Sequence, residues 1–114
     1  MASRRDESFK KKDRLLSRRE FLRVQRRGKK VVTRSLVILC LPNKLGRTRL
    51  GVAVSKKVAN SVKRNRLKRI IREVFRKMRD LFPENSDVVV IPKKEAGGLG
   101  YHDLIDELKR IREH

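Results

Sequence analysis

Acidic residues are scarce in this chain: 13 Asp+Glu stand against 33 Lys+Arg, a formal charge of +20 on 114 residues. So large a positive field on so small a body excludes an unpartnered existence among cellular polyanions and points to nucleic acid. The one cysteine, Cys40, rules out an internal disulfide. Inside Leu36-Val37-Ile38-Leu39-Cys40-Leu41 it reads as a small core residue. No apolar run approaches the ~20 residues of a membrane span, and the N-terminus carries no apolar signal core, so the expectation is a cytoplasmic protein with no membrane partner. Groups for catalysis are also few. Of the two histidines, His114 ends the sequence and His102 stands near a helix start, while Glu73 and Asp80 lie isolated among arginines. A metal site needs clustered ligands and a metal-free nuclease needs a placed acid–base pair, so stand-alone RNA cleavage is not expected. Glu73 reads instead as an intrahelical partner of Lys77.

What is present is enough for one small domain, with a hydrophobic fraction of 38%. The charge is unevenly spread. Residues 1–30 carry thirteen Lys+Arg against four acids and residues 55–80 eleven against two, whereas residues 81–114 hold five against seven. A nucleic-acid face assembled from the first and third of these segments is expected, with the two lying near each other. Residues 1–13 read as a basic arm that stays mobile until it meets a partner, with ordered structure from near Arg14.

Ser17 followed by Glu20 gives a capping box, and Phe21 and Val24 supply a short apolar face before Gly28, which predicts a helix over 18–27. Val31 to Leu41 is rich in β-branched and aliphatic residues. The turn Pro42-Asn43-Lys44-Leu45-Gly46 and the alternating Arg49–Val54 then suggest two antiparallel strands joined by a short loop. On the second of these, Gly51 and Ala53 share a face that leaves room for a helix or a ligand. A long helix is predicted from an Asn60 or Ser61 cap to about Arg79. Its stripe Leu67, Ile70, Ile71, Val74, Phe75 and Met78 packs on the sheet. Asp87–Ile91 is a strand of the buried kind, Pro92 to Gly100 a loop, and His102 or Asp103 starts a final amphipathic helix. The sum is an α+β domain with a single small sheet packed by helices. If strands 49–54 and 87–91 are parallel neighbours, the helix between them is a crossover, ordinarily right-handed.

The central stretch Ser55–Glu73 superimposes that apolar stripe on a polyphosphate-binding surface. At ~100° per residue, Asn65, Arg69, Arg72 and Arg76 point away from the core, with Arg66 and Lys68 flanking them. Guanidinium forks one turn apart suit a folded RNA backbone, and Asn65 offers a donor and an acceptor to a base edge or 2′-hydroxyl. An ordinary solvated face mixes signs at i,i+4, whereas the charges here are nearly all of one sign. Ser55, Lys56 and Lys57 sit at the strand-to-helix junction, beside a helix N-terminus that adds an anion site.

Lys63-Arg64-Asn65-Arg66-Leu67-Lys68-Arg69-Ile70-Ile71-Arg72-Glu73, preceded by Gly51-Val52-Ala53-Val54-Ser55-Lys56-Lys57, closely resembles the RNR signature of the bacterial ribonuclease P protein component. The resemblance runs from about Arg14 to the last helix. It implies a ribosomal protein S5 domain 2-like fold with a left-handed βαβ crossover, against the ordinary hand. It also implies a subunit that assists a catalytic RNA in removing the 5′ leader from precursor tRNA, with Mg2+ used by the RNA subunit and none bound by the protein. The implied partners are ribonuclease P RNA and precursor tRNA, with no obligate protein partner evident. Carried over by residue, Arg64, Asn65, Arg66, Lys68, Arg69 and Arg72 form the RNR surface beside Ser55, Lys56 and Lys57, and Phe21, Val37 and Leu39 line the leader cleft. Gln25 and Leu39 stand where members have a further aromatic, and Ala59 where a glycine is common. Leader binding is thereby shifted from ring stacking toward charge and apolar contact. Phe21 serves equally well as plain core.

Two other classes fit the charge and size. A structural RNA-binding protein of ribosomal type is separated from the first reading only by the RNR motif. A DNA-binding regulator expects a short recognition helix and dimer symmetry, which the long, evenly basic helix does not suit.

Overall fold

Ser17 closes the expected capping box, its Oγ accepting from the Glu20 N–H at 3.1 Å while its own N–H donates to Glu20 Oε1 at 3.3 Å. The helix it starts, α1, spans Arg18–Arg27, as predicted. In this computed structural model, which describes residues 13–15 and 17–112, α1 is followed by β1 (Lys29–Val32), β2 (Leu36–Pro42), β3 (Arg49–Val52), α2 (Ser61–Lys77), β4 (Ser86–Pro92) and α3 (Tyr101–Arg112). Short 3-10 turns cover Arg79–Leu81 and Lys94–Gly98. The arm expected over residues 1–13 lies outside the described residues except for Asp13, which is buried and accepts from Arg79 Nη2 at 3.0 Å.

The apolar run from Val31 to Leu41 is two strands rather than one. Its polar interruption Thr33-Arg34-Ser35 is a turn, in which Thr33 N–H donates to Leu36 O at 2.8 Å. The buried Glu107 carboxylate of α3 fixes that turn, accepting from the Ser35 N–H at 3.0 Å and from the Thr33 hydroxyl. The four strands run in the order β1-β2-β4-β3. β1 and β2 are antiparallel, as are β2 and β4, while β3 and β4 are parallel with Arg49 opposite Asp87 and Gly51 opposite Val89. The expected pairing of the strands on either side of the 42–46 turn does not form, because β4 inserts between them. α2 is therefore the crossover between parallel neighbours.

Insertion at the centre explains the continuous apolar character of β4: both its faces are covered, and Ser86 to Val90 are all buried. On one face Leu36, Ile38, Leu50, Val88 and Val90 pack against Ile71, Val74 and Phe75 of α2 and Leu104, Ile105 and Leu108 of α3. Phe75 meets Phe82 edge to face, centroids 5.0 Å apart, and Arg79 lies over the Phe75 ring at 4.7 Å. On the other face Leu39 and Val89 pack against Val24 of α1 and Leu15. The open edge of β3 is shielded by the chain before α1, where Leu15 N–H donates to Leu50 O at 3.0 Å.

Candidate nucleic-acid interface

α2 begins at Asn60, whose Oδ1 accepts from the Lys63 N–H at 2.9 Å. Its apolar stripe is sequestered, with Leu67, Ile71, Val74 and Phe75 buried. The opposite side carries the charge: Asn65, Arg66, Arg69 and Arg72 are exposed and Lys68 and Arg76 half-buried. Asn65, Lys68, Arg69, Arg72 and Arg76 line one shallow depression with Glu73. Two of the arginines are oriented by backbone carbonyls. Arg64 Nη1 donates to Ala59 O at 3.0 Å, and Arg66 Nη1 donates across to Leu99 O, in the loop after β4, at 3.1 Å. Each guanidinium keeps further N–H donors for a phosphate, so the side-chain entropy of presenting them is reduced before any partner arrives.

Glu73, the one acid on this face, accepts from Arg76 Nη2 at 2.7 Å and lies 3.4 Å from Lys77 Nζ. The expected partnership with Lys77 is present, and Arg76 shares it at shorter range. Hydrogen bonds from Arg76, helped by the charges of Arg76 and Lys77, hold the Glu73 carboxyl below its ordinary value. Ser55, Lys56 and Lys57 form an exposed turn ahead of α2, in which Ser55 Oγ accepts from the Lys57 N–H at 3.0 Å.

Phe21, Val37 and Leu39 lie on the other side of the sheet. Gly51 leaves the space there that its sequence context suggested, and Phe21 fills it: a Cβ built on Gly51 would stand 2.6 Å from Phe21 Cζ. Leu39 is 7% exposed and packs under α1, whereas Val37 and its cross-strand neighbour Ile91 are half-buried and Val32 on β1 is 56% exposed. Beyond the Phe21 flank of α1, the sheet thus shows a partly exposed apolar strip of Val32, Val37 and Ile91.

The two basic segments touch where Asp13 accepts from Arg79 Nη2 at 3.0 Å, but α1 does not share a face with α2. Successive side chains of β2 and β4 point to opposite faces, so α1, which packs on Leu39 and Val89, and α2, which packs on Ile38, Val88 and Val90, are separated by the sheet. The sequence reading also missed what anchors α1. Arg49 Nε and Nη2 donate to the two oxygens of Asp87 at 2.9 and 2.8 Å, Arg49 Nη1 reaches Glu20 Oε2 at 2.8 Å, and Asn43 Nδ2 donates to Asp87 Oδ1 at 2.8 Å. Burial works to raise the Asp87 carboxyl, but the hydrogen bonds from Arg49 and Asn43 and the charges of Arg49 and Arg23 outweigh it and hold it below its usual value. The signal was there: opposite charges open the two strands, 49–54 and 87–91, whose parallel pairing the sequence left open.

The fold and these faces define a class, that of small, strongly basic α+β proteins built on one sheet with a helix face of nearly one sign. The family model described as Ribonuclease P matches residues 9–114. The chain is 40% identical over 104 residues to the ribonuclease P protein component of Desulforapulum autotrophicum, covering 91% of this chain and 89% of that protein. It is also 40% identical over 105 residues to the one from Thermotoga maritima, covering 92% and 83%. The solved RNase P protein from Thermotoga maritima superposes with a TM-score of 0.78 at 32% identity, covering 86% of this chain and 93% of that one. The RNase P protein of Staphylococcus aureus also gives 0.78, at 31% identity with 89% and 93% covered. The chain belongs to the ribonuclease P protein component family. It is the protein component of a ribonucleoprotein endoribonuclease of tRNA processing.

Proposed function

We infer that this subunit grips two RNAs from opposite sides of its sheet. The α2 face, with Arg64, Asn65, Arg66, Lys68, Arg69 and Arg72 and the adjoining Ser55, Lys56 and Lys57, docks on the ribonuclease P RNA. The strip beside Phe21, with Val37 and the edge of Leu39, receives the single-stranded 5′ leader of precursor tRNA. The observation that carries this reading is the α2 face itself, where the only carboxylate, Glu73, is already engaged by Arg76 and Lys77 and the remaining charge is positive. Phosphates from a docked RNA relieve that repulsion, and the carbonyl-anchored Arg64 and Arg66 are oriented in advance for bidentate contact.

Hydrolysis of the phosphodiester belongs to the RNA subunit with its Mg2+ in this reading. Among the described residues no three His, Cys, Asp or Glu side chains group as metal ligands; in this reading the protein's contribution is binding and orientation. The site of action is the cytoplasm, and among the described residues no helix is long and apolar enough to cross a membrane.

The test is single-turnover cleavage of a precursor tRNA by a matched ribonuclease P RNA at low magnesium, with and without the protein and with Arg64, Asn65 and Arg66 replaced by Ala. Leader removal that depends on the intact protein is expected. No effect of the protein, together with co-purification of ribosomal RNA, would turn the assignment to a structural RNA-binding role.

A further inference from the structure

The outer side of α1 has no place in the function above, yet its exposed charges are nearly all of one sign. At 100° per residue, Val24 and Phe21 turn to the sheet, and continuing round the helix from Gln25 come Arg18, Leu22, Arg26, Arg19 and Arg23. These four arginines are exposed, and they border a shallow groove along the helix with Arg27, Leu22 and one acid, Glu20. Glu20, the one acid in α1, is drawn to the sheet side by Arg49, and Arg23 leans toward Asp87 at 3.4 Å.

Arg26 and Arg27 occupy the last turn, where positive charge suits the helix dipole. Arg18 and Arg19 occupy the first turn, where it opposes the dipole, and Arg19 and Arg23 add a like-charge i,i+4 pair. Helix stability therefore does not account for Arg18 and Arg19. A polyanion lying along the helix does, and charge complementarity makes it a nucleic-acid backbone.

Position on the sheet decides which one. The strip of Val32, Val37 and Ile91 lies on the same face as α1, on the flank that Phe21 and Gln25 present, whereas the α2 face is on the far side of the sheet. Val32, Val37 and Ile91 lie on the three adjacent strands β1, β2 and β4, which at ~4.8 Å spacing make that strip about 10 Å wide, room for only a few nucleotides. A strand continuing from it over α1 meets Arg18 first, then Arg26 and Arg19.

We propose that Arg18, Arg19 and Arg26 bind phosphates of the leader beyond the nucleotides seated on the strip, so that substrate affinity rises with leader length. This rests on the strip being the leader site, as proposed above. The test measures binding of precursor tRNAs with short and long leaders to the reconstituted holoenzyme, comparing the intact protein with the triple variant R18Q/R19Q/R26Q and with Val37→Glu. The triple variant is expected to lose on the order of tenfold in affinity for the long leader, with a shallower salt dependence. It should bind the short leader as before and melt no lower than the intact protein.

Equal affinity of the intact and triple-variant proteins for the long leader would overturn the proposal. So would an equal loss on every substrate accompanied by weaker assembly with the catalytic RNA, which would assign α1 to that RNA instead. Val37→Glu should weaken the short leader too. If it does not, the strip is not the leader site, a failure separate from that of the arginines.

Discussion

Arg49 and Asp87 hold each other as a two-pronged ion pair in parallel register, with Nε to Oδ1 at 2.9 Å and Nη2 to Oδ2 at 2.8 Å, directly beneath α1. Asp87 is 1% exposed, so the pair is a buried one, and Glu20 ties it to the helix. Its removal should loosen the attachment of α1 more than it disturbs the rest of the sheet. Apolar contact between α1 and the sheet runs through Phe21 and Val24 with Leu39, Val89 and their neighbours.

Asp87→Asn should therefore cost about 3 kcal/mol, because it leaves the Arg49 charge partly unpaired in a buried setting. The pH dependence has a definite sign. The folded-state pKa of Asp87 lies below its ordinary value, so its contribution is fully present above the unfolded carboxyl pKa of about 4 and is lost as pH falls through the lowered folded value. Urea unfolding at neutral pH should show the full difference between the two proteins, and unfolding in acid should show the gap closing. A gap that stayed constant into acid would mean that the ion pair is not its source.

Gly51→Ala should push Phe21 off the sheet. The new Cβ meets the tip of a ring, which can tilt, so a loss of roughly 1–3 kcal/mol is expected. Gly28→Ala is the harder change, since its Cβ would stand 2.5 Å from the Val24 carbonyl and 2.9 Å from the Cys40 carbonyl, both backbone. Thermal melts should rank Gly28→Ala as the more damaging. Phe21→Leu combined with Gly51→Ala should recover part of the Gly51→Ala loss, and its failure to do so would place the strain elsewhere.

The elements most legible in the sequence are those whose signals are local. The Ser17–Glu20 box, the Asn60 cap, the α2 stripe and the buried run in β4 all depend on residues within a few positions of one another. The order of the strands does not: β4 enters between β2 and β3 from more than thirty residues away, and only the cover on both its faces reveals that. The Thr33–Ser35 turn was hidden because its stabilising acceptor, Glu107, comes from the far end of the chain. The α2 face was readable because a one-signed helix surface is itself a local pattern. Its relation to α1 was not, since which helix covers which face follows from the strand pairing. Arg66 reaching Leu99 was equally out of view.

Leu67→Asp separates folding from binding on α2. The side chain is 0% exposed on the inward side of a helix whose outward side carries the proposed RNA contacts. A carboxylate there has no partner and should prevent stable folding, whereas Leu67→Ala should cost about 2–5 kcal/mol and leave a folded protein. Circular dichroism of the two variants checks this. A well-folded Leu67→Asp protein would mean that α2 is packed less tightly on the domain than its buried face indicates.

Arg69 and Arg72 are exposed on the α2 face and border the same depression. If each neutralises about one phosphate of the ribonuclease P RNA, replacing both by Ala should reduce the slope of log affinity against log salt by up to about 2. Substitutions that act only through folding would lower affinity without changing that slope, so the measurement tells interface from scaffold. Titrations at several salt concentrations, with the melting temperature of the double variant recorded alongside, make the comparison direct. Removing two like charges from the helix should leave that temperature level or slightly higher. An unchanged slope with an unchanged melt would move both arginines off the interface and leave the contacts to Arg64, Asn65, Arg66 and Lys68.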